Sequence, residues 1–175
     1  MVSLEVAAIL LSGISISASL FYYSNVLQNQ NKTRQAQSYM QLHQAHYNKE
    51  GLETMFMLHN LEWTDFDNYL EKYSAISGHP DVAAALESQL GYLDGVGTMV
   101  KENILDVNTV YNVDGRRILM LWFKFESVIK GFRDPRWGTP DYGENFEYLA
   151  GEMIRIRKEK GLPIAFEYLT NTSNK

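Results

Sequence analysis

The stretch VAAILLSGISISASLFYYSNVLQNQNKTRQAQ, residues 6–37, decides how the chain is built. Its first part, Val6 to Tyr23, carries no charged residue. As a helix rising about 1.5 Å per residue it reaches about 27 Å, close to the thickness of a hydrocarbon core. Ser12, Gly13, Ser15, Ser17 and Ser19 dilute its hydropathy. A helical serine returns its hydroxyl to a carbonyl one turn back, so this dilution is tolerable in lipid. Phe21, Tyr22 and Tyr23 close the run, where aromatic rings favour the headgroup layer.

Three fates compete for this segment. A cleaved signal peptide would carry positive charge ahead of the apolar run, whereas only Glu5 stands there, although Ser17–Ala18–Ser19 resembles a cleavage site. A buried helix of a soluble protein would need the rest of the fold to cover Leu10, Leu11, Ile14, Leu20 and Phe21. A retained anchor needs neither, and it is the reading adopted. Lys32 and Arg34 follow the run and no lysine or arginine precedes it. The positive-inside bias then sets the N-terminus outside the cell membrane and the C-terminal domain in the cytoplasm.

Glu5, Ala8, Ser12, Ser15, Ser19, Tyr22 and Val26 recur at steps of three and four, so they share one helix face. Ala8, Ser12, Ser15 and Ser19 form a small, hydroxylated stripe that lets a second membrane helix approach closely. That partner is a second copy or a different subunit; the bland alternative is serine merely tolerated in lipid. The same register continues through Asn29, Thr33, Ala36, Met40, His43 and Tyr47, with no proline or glycine before Gly51. This predicts one helix from about Leu4 to Lys49, leaving the bilayer as a stalk too polar for a coiled coil.

Beyond the stalk the chain reads as helices throughout, with no alternating strand pattern and no repeat. Thr64 is a candidate cap for a helix over Phe66–Tyr73, closed by Gly78. Pro80 opens a longer helix with Val82, Leu86, Leu90 and Leu93 on one side. Gly91, Gly95 and Gly97 there leave room for a close neighbour, and Asn103 is a left-handed stop. Asp106 caps a short helix ending at the Asp114–Gly115 turn. RRILMLWFKFESVIKGFR, residues 116–133, is the most apolar soluble segment and should be the central helix. A Pro- and Gly-rich loop and a last helix, FEYLAGEMIRIRKEKG, follow. The expected fold is all-α: a single N-terminal transmembrane helix (residues 1–24), a helical stalk (25–50), a small cytosolic helical bundle (51–162) and a tail (163–175).

The order of these parts carries a resemblance. A membrane helix runs into QNQNKTRQAQ, followed by LGYLDGVGTMVKENILDVNTVY, the tryptophan helix ILMLWFKFESVIKGFR and a loop into NFEYLAGEM. This resembles an uncharacterised prokaryotic domain-of-unknown-function family with an N-terminal membrane helix and an all-helical cytosolic domain. The resemblance implies fold and topology and brings no activity. Where such families often carry a glycine after the basic residue ending the long helix, this chain has Glu102 and Asn103.

Chemistry is sparse. The chain has 175 residues, a net charge of -5 and no cysteine. The acidic balance argues against nucleic acid, whose phosphates call for a basic face. The missing cysteines exclude disulfides, thiolate metal sites and a thiol nucleophile. His43, His46 and Glu50 have ligand-like spacing without a further clear ligand, so a polar stalk face is preferred and no metal is expected. No glutamate is followed three residues later by histidine, which argues against a di-iron bundle. GYLDGVGTMVK lacks the ending of a phosphate loop, and Gly-x-Ser-x-Gly is absent. Asn31 and Asn171 head glycosylation sequons that the expected orientation keeps from the machinery.

Trp122, Phe123 and Phe125 beside Phe132 read as core, or as a pocket reaching Arg133. Arg133, Asp134, Arg136 and Trp137 form a candidate contact loop. No catalytic residue and no cofactor is expected. The expected function is that of a non-catalytic single-pass membrane protein acting through protein contacts, as accessory subunit or scaffold/regulator of a membrane complex. A membrane-associated small-molecule sensor or enzyme is the alternative.

Overall fold

Helix formers without an internal proline make the N-terminal element long. In the computed structural model, which describes residues 3–137 and 139–164, α1 runs unbroken over Leu4–His46, 43 residues or about 65 Å. Five more helices follow: α2 (Lys49–His59), α3 (Phe66–Tyr73), α4 (Pro80–Lys101), α5 (Val107–Phe132) and α6 (Glu144–Glu159), with a 3-10 turn at Pro135–Trp137 before α6. Among the described residues there is no strand. The chain divides into two compact units, Met1–Gln41 and Leu42–Lys175.

In the first unit α1 is long and apolar enough to cross a membrane, and none of its apolar window is buried. Leu10, Leu11, Ile14, Leu20 and Phe21 are all exposed.

The second unit departs from the sequence reading at three places, each for a local reason. The first break comes at Asn48, before the expected glycine. Asn48 adopts an extended backbone and its side chain accepts the Gly51 N–H at 2.8 Å, so it ends one helix and caps the next. Gly51 lies inside α2, where a Cβ would sit 2.0 Å from the His46 carbonyl oxygen; it permits the tight fold-over instead of stopping a helix. Next, Asp65 caps α3 by accepting from Asn68 N–H at 2.9 Å, the role assigned above to Thr64. Finally, no turn forms at Asp114–Gly115. Both are buried within α5, which continues for 26 residues because its apolar face is occupied on both sides of them. Asp106 and Asn103 behave as expected: Asp106 caps α5, and Asn103 takes φ 57° after α4. The tail beyond residue 164 lies outside the described residues.

The core is built by α4, α5 and α6, with α4 against α6 as its most extensive pairing. Leu86, Leu90, Leu93, Val96 and Val100 of α4 are buried at three- and four-residue steps. Phe146, Leu149, Met153 and Ile156 answer from α6, and Ile118, Trp122, Phe125 and Ile129 from α5. The α4–α6 contact is unusually close at one point. A Cβ at Gly97 would lie 2.0 Å from the Asn145 carbonyl oxygen. Gly91 and Gly95, expected to serve the same purpose, have nothing within 4 Å. Gly143, at φ 65°, precedes α6 with no side-chain cap of its own. Asp94 of α4 replaces it: one carboxylate oxygen accepts the backbone N–H of both Asn145 and Phe146 at 3.0 Å. The first turn of α6 is thus capped by a neighbouring helix.

Candidate functional site

Four features of the chain have chemistry to offer. The first is the α1 stripe. Ser12 Oγ donates to Ala8 O at 2.9 Å and Ser19 Oγ to Ser15 O at 2.8 Å. These two hydroxyls are satisfied within their own helix, which lowers the penalty of placing them in lipid. Ala8, Ser12, Ser15 and Ser19 are all exposed along that face.

The second is the segment after α5. It splits into an anchored part and an exposed part. Arg133 caps α5, donates from Nε to Tyr142 O at 2.8 Å and pairs with Glu147 at 2.5 Å, so it ties the loop to α6. Asp134 and Arg136 form an exposed pair, Nε to Oδ1 2.9 Å. That pairing holds the Asp134 carboxyl below the usual range. Trp137 sets its ring edgewise to Phe132 at 5.8 Å and to Phe66 at 6.2 Å. Phe66 in turn lies over Gly131, where a Cβ would meet its ring at 2.3 Å.

The aromatic pocket considered for Trp122, Phe125 and Arg133 is filled. Trp122 meets Phe146 edge-on at 5.5 Å, and Phe125 stacks on Trp63 at 5.2 Å. Lys124 Nζ stands 4.6 Å from the Trp63 ring and donates to Leu61 O at 2.6 Å. Its partial burial lowers its pKa.

An open cleft does exist, displaced from there. It lies between α3, the Ser74–His79 turn, the start of α4 and Trp137, with a volume of about 580 Å³. Tyr69, Tyr73, Ile76, Leu86, Phe132 and Trp137 supply most of its wall. Glu71 and Glu87 are its carboxylates, and among the described residues no lysine, arginine or histidine lines it. Tyr142 Oη donates to Glu87 Oε1 at 2.5 Å. Burial, and then the Glu87 carboxylate, raise the Tyr69 hydroxyl to about 12. The turn is held by Ser74 and Ser77, which exchange hydrogen bonds of 2.9–3.1 Å, and by Gly78 at φ 95°. Ile76 at its tip is 90% exposed.

The fourth feature is a buried polar cluster that the sequence reading did not anticipate. His43, in the last turn of α1, faces Asp114 with Nδ1 2.8 Å from Oδ2. Tyr92 Oη donates to the same oxygen at 3.4 Å. Arg117 Nη2 donates to Gln89 Oε1 at 2.6 Å, and its guanidinium lies 5.6 Å from the ring centres of Tyr92 and Tyr47. His46 stacks on Tyr92 at 4.1 Å. The two histidines meet side chains of α5 and α4, and among the described residues no group of three potential ligands gathers. The only sequence signal for this cluster was Asp114 and Arg117 one turn apart in an otherwise apolar stretch, and a turn at Asp-Gly competed with it. A carboxylate paired with an imidazole is half of a nucleophile-activating relay. His43 and His46, both within the second unit, are thereby tied to α4 and α5.

Residues 4–153 match the family model described as "Domain of unknown function (DUF4760)". The match starts at the first residue of α1 and ends within α6, so the chain belongs to that family and α1 is part of its domain. No curated protein and no solved structure matches the chain.

Proposed function

We propose that this member of the DUF4760 family is a non-catalytic, single-pass membrane protein whose helical domain acts through protein contacts, as an accessory subunit or scaffold of a membrane complex. The observation that carries this reading is α1. None of its apolar window is buried, and it belongs to a helix unbroken over Leu4–His46. Covering that surface is worth roughly 1.5–3 kcal/mol per large apolar side chain, so an uncovered helix of this kind needs lipid. The family match, which includes α1, supports an anchor that is kept. The positive-inside bias of Lys32 and Arg34 supports a cytoplasmic domain, and the small stripe of Ala8, Ser12, Ser15 and Ser19 supports contact with a second membrane helix.

A second reading, a membrane-associated small-molecule sensor, draws on the cleft between α3 and α4.

The absence of cysteine makes the test direct. Single cysteines at Ser12, Ser15, Leu11 and Leu20 are introduced into the full chain and oxidised in native membranes. Cross-links at Ser12 and Ser15, to a second copy or to one stoichiometric companion, are the expected result. Cross-links spread equally over all four positions would remove the packing face. Release of the chain from membranes by alkaline carbonate would remove the anchor. A cysteine at Asn108 that reacts with an impermeant maleimide on intact cells would reverse the orientation.

A further inference from the structure

The cleft beside α3 differs from an ordinary surface depression in three respects. It is a volume of about 580 Å³, within the range that encloses a small organic molecule. Aromatic rings stand on two sides, Tyr69 with Tyr73 (5.8 Å apart) and Phe132 with Trp137 (5.8 Å apart). Its only charges among the described lining residues are negative, from Glu71 and Glu87. A neutral apolar ligand would explain the rings and not the carboxylates. An anionic ligand would meet two carboxylates with no compensating cation.

One buried group also points into it. Tyr69 is 2% exposed, and its ring lines the cleft. The Glu87 carboxylate is near enough to the Tyr69 hydroxyl to help raise its pKa. Tyr142 occupies one Glu87 oxygen and leaves the carboxylate anchored at the rim.

We propose that this cleft binds a small organic ammonium ion with an apolar body. The charged nitrogen sits by Glu71, Glu87 and the Tyr69 hydroxyl, and the body lies between the two aromatic pairs. Aromatic faces attract a desolvated cation through their quadrupole, and the carboxylates add direct charge pairing. The inference goes beyond the anchor and contact reading and stands apart from it: its failure leaves α1 untouched.

The test uses the full chain in non-ionic detergent. Three probes share one apolar body: 2-phenylethylamine, 2-phenylethanol and 3-phenylpropionate. Each is titrated calorimetrically against a detergent blank. The amine should bind at least about tenfold tighter than the alcohol, with the carboxylate weakest, as charge pairing in a partly desolvated site requires. Glu71→Gln with Glu87→Gln should bring amine and alcohol within about twofold while leaving alcohol binding in place. Tyr69→Phe should weaken the amine more than the alcohol. Thermal melting followed by tryptophan fluorescence confirms that each variant is folded. Equal affinity for the three probes, no amine binding at millimolar concentration, or a preference that survives the double substitution would each overturn the proposal. Saturation by a partner protein's lysine-bearing segment but not by the amine would also overturn it, and would make the cleft a protein contact.

Discussion

Gly97→Ala tests the closest approach in the fold. The new Cβ would lie 2.0 Å from the Asn145 carbonyl oxygen and 2.6 Å from its carbon. Both are backbone atoms at the start of α6, so no side-chain rotation relieves the overlap. Restoring even a 3.0 Å contact moves α6 by about 1 Å, and overpacking of this kind costs about 1–3 kcal/mol. The same displacement stretches the two 3.0 Å bonds from Asp94 to the Asn145 and Phe146 N–H groups toward 4 Å, beyond hydrogen-bond range. Losing charge-assisted bonds at a helix N-terminus adds about 2 kcal/mol. The expected total is about 3–5 kcal/mol. Asp94→Ala alone should cost about 2 kcal/mol, and the double variant should fall short of the sum by about that amount, since the bonds are lost once. Gly95→Ala and Gly91→Ala are the controls. Nothing lies within 4 Å of either added Cβ, so each should be neutral or stabilising by up to about 1 kcal/mol. Urea unfolding of the full chain in detergent, followed by fluorescence, reads the second unit selectively because its three tryptophans, Trp63, Trp122 and Trp137, all lie there. A Gly97→Ala variant within about 0.5 kcal/mol of the parent, or strict additivity with Asp94→Ala, would refute the reasoning.

Three further outcomes follow from buried polar groups. Tyr69 is protonated more firmly in the folded state, with its hydroxyl raised from 10.0 to about 12. Its contribution to stability is therefore complete below pH 10 and is lost as pH rises toward 12, roughly 2–3 kcal/mol, and Tyr69→Phe should flatten that alkaline decline in urea midpoints. His59 has its pKa lowered from 6.5 by burial and by Lys124. The folded state holds it neutral, so stability is full above pH 6.5 and falls as pH drops below it; His59→Phe should reduce the slope between pH 6.5 and 5, and an unchanged slope would argue that the ring is solvated. Asp114→Ala should destabilise the second unit by about 3–5 kcal/mol by leaving the buried Arg117 without its counter-charge, whereas Asp114→Leu with Arg117→Met should cost distinctly less in the same unfolding assay.

The sequence patterns that proved legible are those in which one local rule acts without a competitor. The charge-free run from Val6 to Tyr23, the apolar steps of α4 and the caps at Asp106 and Asn103 each depend on a few neighbouring residues. Legibility failed where tertiary packing overrode a local rule. Asp114–Gly115 is a strong turn signal, yet α5 carries buried residues on both sides of it, and Asp114 is held by Tyr92 and His43 from other helices. Asn48 lacks the glycine or proline expected of a break, and the chain turns there because its amide caps α2. The DGVG motif was read for its glycines, whereas Asp94 is its working residue as much as Gly97. That role depends on a backbone some fifty positions away, which no local pattern reports.

The candidate sites follow the same division. That Ala8, Ser12, Ser15 and Ser19 share one exposed face of α1 was legible because helical periodicity alone puts them there. The cleft was not, because its walls come from α3, α4, the end of α5 and the 3-10 turn. Only Trp137 of the expected contact loop reaches it, while Arg133 is spent in holding Tyr142 and Glu147. Tyr142 then places its hydroxyl on Glu87 at the rim. The loop therefore acts on the cleft through its backbone geometry as well as through the tryptophan. Arg133→Met should loosen the Tyr142–Glu87 contact and weaken 2-phenylethylamine binding without removing a single lining side chain. Unchanged affinity in a folded Arg133→Met chain would mean that the cleft is shaped by α3 and α4 alone.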